Sequence, residues 1–158
     1  MTNISSLKLS VVAAICLSAG IATAGAQSPP RVPLLTSGWM GGIHYGVPVK
    51  WSMALGYVLP ATHDDWQPFA AAEPGIGGWR ASLGALRTTN ELGGFYVLRI
   101  SSLRTSKKAW RAAQSTTFVG PECQFVPIFA IGLRVGGFLR VQGNGNRGLL
   151  TSDVSVVL

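Results

Sequence analysis

From Val49 to Leu59 every second residue is apolar or aromatic: Val49, Trp51, Met53, Leu55, Tyr57 and Leu59. The residues between them, Lys50, Ser52, Ala54, Gly56 and Val58, are mostly polar or small. A period of two places these sets on opposite faces of an extended strand. The pattern returns between residues 77 and 86, where Trp79, Ala81, Leu83 and Ala85 oppose Arg80, Ser82 and Gly84. Between residues 93 and 102, Tyr96, Leu98 and Ile100 oppose Val97, Arg99 and Ser101. Between residues 129 and 142, Ile131, Leu133, Val135, Leu139 and Val141 oppose Gly132, Arg134, Gly136 and Arg140, and a last run sets Val154, Val156 and Leu158 against Asp153 and Ser155. Weaker strands cover about residues 38–46 and 115–126. Seven strands are legible, none of the chain has clean helical periodicity, and the prediction is all-β and antiparallel.

Most runs are about 9 to 13 residues long, whereas strands of globular proteins centre on roughly 5 to 6 and a tilted strand crossing a bilayer needs about 9 to 11. The connections at residues 46–48, 89–91 and 126–127 read as short, and those at 60–74, 104–114 and 143–148 as long. Tight turns alternating with longer loops are the rhythm of a membrane barrel. Together these features predict an antiparallel up-and-down β-barrel of about eight strands, transmembrane, over residues 38–158. Seven is an odd count for a closed barrel. Two strands are merged, the stretch around Phe69 hides one, or the sheet is open and needs a partner chain.

Assigning the apolar face outward leaves Lys50, Arg80, Arg99, Glu122, Arg134, Arg140 and Asp153 on the inner face, with Gln124 beside them and many Gly, Ser and Ala positions in a narrow bore. These residues are expected to form a packed interior polar network, Glu122 and Asp153 pairing with Arg99 and Arg134, because an unpaired charge there is costly. Trp39, Tyr45, Trp51, Tyr57, Trp79 and Tyr96 fall near strand ends, as interfacial aromatic girdles do.

The first 26 residues read as a cleaved leader: Lys8, a largely apolar stretch from Leu9 to Ile21, and the small-x-small Ala24-Gly25-Ala26. Cys16 lies inside it and follows Ile15 rather than the small residue that a lipoprotein box needs, so one cysteine, Cys123, remains and no intramolecular disulfide is expected. Residues 27–37, with three prolines, form an irregular lead-in. Setting Lys8 aside leaves twelve cations against six carboxylates. Only 12% of the chain is charged, a composition that invites association in water but suits a surface facing lipid.

Motifs for chemistry are sparse. Gly-x-Ser-x-Gly, phosphate-loop and His-Glu-x-x-His patterns are all missing. His63-Asp64-Asp65 has no metal-site spacing, and His44 falls on the polar face of its strand with no acid or nucleophile nearby in sequence. No catalytic residue, metal or cofactor is predicted. The segment containing Arg104, Lys107, Lys108, Trp110 and Arg111 reads as a long loop suited to lipopolysaccharide phosphates. Export argues against nucleic acid as its partner.

The leader, the alternating strands, Tyr45-Gly-Val-Pro-Val-Lys-Trp51 as strand-turn-strand, and an ending on a strand resemble small bacterial outer-membrane β-barrels over about residues 38–158. The ending Val156-Val157-Leu158 keeps the alternation but lacks the terminal aromatic common in that class. Some barrels of this size modify lipid A, yet the His-x-Ser pair of such deacylases does not occur near the C-terminus. The resemblance implies a non-enzymatic outer-membrane barrel with a structural, adhesive or minor transport role, in contact with outer-membrane lipid and lipopolysaccharide. The alternatives are a soluble periplasmic β-sandwich or lipocalin-like binding protein and, more distantly, a membrane-embedded lipid-modifying enzyme.

Overall fold

The structure, a computed structural model, describes residues 37–61, 65–89, 94–128 and 130–157. The expected leader, almost all of the lead-in, and His63 and Asp64 lie outside the described residues. Eight strands follow one another: β1 (Gly38–Val47), β2 (Lys50–Val58), β3 (Trp66–Gly75), β4 (Gly78–Thr88), β5 (Phe95–Thr105), β6 (Thr117–Ile128), β7 (Ile131–Gln142) and β8 (Gly148–Val157). Each pairs antiparallel with its sequence neighbours, and β1 pairs with β8 from Gly42↔Val157 to Val47↔Ser152, closing the barrel. Closure removes the open strand edges that would otherwise recruit another chain.

The eighth strand is β3, inside the stretch expected to be a loop from Pro60 to Pro74. Its sequence alternates after all: Gln67, Phe69, Ala71 and Glu73 point inward, and Trp66, Pro68, Ala70, Ala72 and Pro74 outward. Two prolines and three alanines hide it, because both residue types are depleted in strands. Proline has no amide hydrogen to give a neighbour. Accordingly, β3 pairs with β2 at Ser52↔Gly75 and again from Leu55↔Ala72 to Val58↔Phe69, with a gap at Glu73 and Pro74. Pro127 is likewise not in a turn but inside β6.

Recovering β3 also corrects the loop rhythm. Strand direction now places the connections 48–49, 76–77, 106–116 and 143–147 at one end, here the loop end. Connections 59–65, 89–94 and 129–130 share the other, terminal end with the start of β1 and the finish of β8. Both ends carry short and long connections, so their alternation along the chain does not sort them onto two faces.

The interior is built in three layers. Toward the terminal end Val58, Phe69, Leu86, Phe95, Val97 and Val126 form an apolar cluster. Toward the loop end Val49, Leu103, Phe118 and Phe138 form a second. Charged and hydroxyl side chains fill the layer between them.

Candidate functional site

The middle layer holds three arginines and three carboxylates, all buried: Arg80, Arg99, Arg134, Glu73, Glu122 and Asp153. Each comes from an inward position of β3 to β8, so closing the sheet is what assembles them. Arg134 is the hub. Its Nη1 and Nη2 donate to Glu73 Oε2 and Oε1 at 2.6 and 2.9 Å, and its Nε donates to Asp153 Oδ2 at 2.6 Å. Two carboxylates held by one planar guanidinium use the fork geometry that lysine lacks. Arg80 Nη1 lies 3.4, 3.3 and 3.1 Å from Glu73, Glu122 and Asp153, while its Nε and Nη2 have no hydrogen-bond partner.

Neutral groups complete the layer. Ser52 Oγ donates to Glu73 at 2.6 Å, and Ser101 Oγ donates to Glu122. Arg99 Nη2 donates to Gln124 Oε1 at 2.6 Å and its Nε lies 3.4 Å from Glu122, while Gln124 Nε2 donates to Ser155 Oγ at 2.9 Å. Equal numbers of opposite charges, held together away from water, avoid the large cost of an isolated buried ion.

The layer fits because small residues line it. A Cβ added at Gly136 would lie 2.8 Å from Glu122 Cγ, from Phe138 Cε2 and from Thr151 Oγ1 at once. Gly136→Val is therefore expected to destabilise the barrel by about 1–3 kcal/mol through overpacking. Denaturant midpoints of the refolded variant check this; an unchanged midpoint would show the interior to be looser than described.

Five of the seven residues expected in the interior, Arg80, Arg99, Glu122, Arg134 and Asp153, are brought together, Arg99 lying against Glu122 and Arg134 against Asp153. Lys50 and Arg140 are not part of it. Both have the inward phase but lie near the loop end, half-buried, and Arg140 donates to the Gly145 carbonyl. Sequence reasoning missed Glu73, which sits on the unrecognised strand. One signal was available: five inward cations faced only two acids, an imbalance that called for another carboxylate. His44 does face inward and is buried, its Nδ1 without a hydrogen-bond partner. Among the described residues no group of three or more His, Cys, Asp or Glu side chains could hold a metal.

The outer face contrasts with the charged middle layer. Met53, Leu55, Leu83, Ile100, Ile131, Leu133, Leu139 and Val141 are exposed around the girth. Among the described residues, the charged side chains at outward strand positions are Arg87 and Arg104, each close to a strand end. Aromatic residues form two belts. Trp39 packs edge-on to Tyr57 and Tyr96 stacks on Phe125 toward the terminal end, with Trp66 at the start of β3. Tyr45 and Trp51, 4.8 Å apart, lie toward the loop end with Trp79.

The basic segment lies at the loop end. Lys107, Lys108 and Arg111 are exposed in connection 106–116, but Arg104 belongs to β5, which runs to Thr105 rather than ending before the segment. Arg147 is exposed on connection 143–147 beside them. Comparisons with protein families, with curated proteins and with solved structures find no match.

Proposed function

We propose that this chain is a non-enzymatic β-barrel of the bacterial outer membrane, a sealed structural element rather than an open pore. The observation that carries the reading is the inverted distribution of polarity: charges buried in the bore, hydrocarbon side chains exposed around the girth. Hydrophobic burial drives a water-soluble barrel toward a polar exterior, whereas the girth here is hydrocarbon and the charges lie inside. The soluble lipocalin-like alternative therefore finds no support in the placement of these side chains.

Dimensions support the same reading. A strand of ten residues, rising about 3.4 Å per residue at a tilt near 40°, covers roughly 25 Å, the height of the apolar band of such barrels. The two aromatic belts and the terminal positions of Arg87 and Arg104 fit head-group levels on either side. The loop rhythm lends no support, since it does not survive the recovery of β3.

Sealing follows from the layers. Solutes crossing the bore would have to displace both apolar clusters and disrupt a neutral ion network, so transport through the lumen is the least favoured of the structural, adhesive and transport roles. Two measurements test the reading. The chain folded in detergent should migrate differently on gels before and after boiling, and planar bilayers containing it should show no stepwise conductance. A chain that stays monomeric in buffer without detergent contradicts the membrane assignment; regular conductance steps contradict the seal.

A further inference from the structure

We infer that the loop end of the barrel is a docking surface for the phosphorylated head groups of the lipid leaflet it faces, an inference that rests on the membrane reading above. The interior network balances its own charges, so it does nothing to neutralise this rim. Arg104, Lys107, Lys108, Arg111 and Arg147 are exposed there, with Lys50 and Arg140 half-buried nearby. The four connections at this end contain no Asp or Glu. Among the described residues, Asp65 is the one acidic side chain outside the interior, and it lies at the terminal end.

The cations are held in place rather than carried on a loose tether. Connection 106–116 folds across its neighbours: Ser106 N and Oγ donate to the carbonyls of Gly77 and Ile76, and Trp110 N donates to Pro48 O at 3.0 Å. At its far side Thr116 Oγ1 donates to Asn144 O at 3.0 Å, and Thr105 Oγ1 donates to the carbonyls of Ala113 and Thr116. This strapping joins the segment to the other three connections of the loop end. Ordering the cations beforehand lowers the entropy cost of binding. Arg111 lies over the Trp110 ring at 5.2 Å, presenting a cation and an amphipathic ring together, a pairing suited to a head-group boundary.

The arrangement favours a lipid surface over a single small anion. The charges are spread over β5 and two separate connections around a rim. An array of phosphates in a plane matches that spread. An even number of strands leaves the start of β1 and the finish of β8 together at the opposite end, so a barrel inserted from the periplasm with that end facing back puts this rim outside, where the head groups are phosphorylated saccharides.

The test uses the full chain folded in uncharged detergent and passed over immobilised lipopolysaccharide, with the same material stripped of phosphate as the comparison. The phosphorylated form should retain the protein, the stripped form should not, and retention should weaken as salt shortens the screening length. Each rim cation is expected to contribute about fivefold in affinity, so the variant K107Q/K108Q/R111Q/R147Q should bind on the order of a few hundredfold more weakly. These residues lie outside the bore, so the variant should keep the heat-dependent gel shift. A variant that shifts normally yet binds unchanged overturns the inference while leaving the barrel reading intact. Equal retention on stripped lipid overturns it, as does full displacement by millimolar inorganic phosphate. A wild-type chain with no gel shift at all would instead indict the membrane reading beneath it.

Discussion

Replacing Arg134 with methionine should lower the stability of the folded barrel by about 3–5 kcal/mol, the largest loss expected from any single change to the interior. Methionine supplies comparable bulk without charge, so packing is not the main loss. The loss comes from Glu73 and Asp153, which keep their charges in a layer almost closed to water and surrender three hydrogen bonds to one guanidinium. Arg80 cannot compensate, because it reaches all three carboxylates through Nη1 alone at 3.1–3.4 Å. Lysine at position 134 should rescue little, since it cannot bridge two carboxylates in a plane. The same logic predicts strong coupling. Removing one charge of each sign in the double variant R134M/E73Q restores neutrality, so it should be more stable than the sum of the single losses by about 1–3 kcal/mol. Denaturant midpoints of the detergent-folded chain report all of these; additive losses would mean that the six groups act independently.

Placing an arginine at Leu83 should cost about 2–4 kcal/mol when the barrel is folded into lipid vesicles. Leu83 sits at the middle of β4, between Ala70 and Ile100 on the neighbouring strands, and is 69% exposed. At so exposed a position in a water-soluble protein the substitution would fall within about 0.5 kcal/mol of neutral. The two environments therefore predict different results from one change. Depth supplies an internal control. Leu59 lies just past the end of β2, and arginine there should cost only about 0–1 kcal/mol, because the side chain can reach the head groups. Equal, small effects at both positions would contradict an exterior in contact with hydrocarbon.

Much of this barrel was legible wherever strand propensity and alternation coincide. The run from Trp51 to Leu59, the faces of β4, β5 and β7, and five members of the ion network follow from a period of two. Val49, expected on the outward face with them, instead belongs to the turn before β2 and is buried in the loop-end cluster. Three features escaped for physical reasons. Pro68, Pro74 and a run of alanines make β3 look like a loop, although closure of the sheet leaves it no other place, and Glu73 was lost with it. Period two reports which face a side chain takes but not its height along the barrel, so Lys50 and Arg140 have the right phase and the wrong level. The start of β8 was invisible because Leu149 packs on the loop-end apolar cluster while Leu150 faces outward, which erases the contrast between faces. The misread loop rhythm is a consequence of the first of these, since one missing strand inverts the side assigned to every later connection.

What touches the outer wall decides whether this barrel sits in a membrane. Spin labels placed singly at Leu55→Cys, Leu83→Cys and Ile100→Cys, with Cys16 and Cys123 replaced by alanine, report this directly when the chain is folded in vesicles. Relaxation by oxygen, which concentrates in hydrocarbon, should be strong at all three sites and relaxation by a water-soluble nickel chelate weak, with the reverse at Lys108→Cys on the loop end. Ready access of the nickel chelate to the three strand positions would mean that these leucines and this isoleucine face water, and the membrane assignment would be wrong.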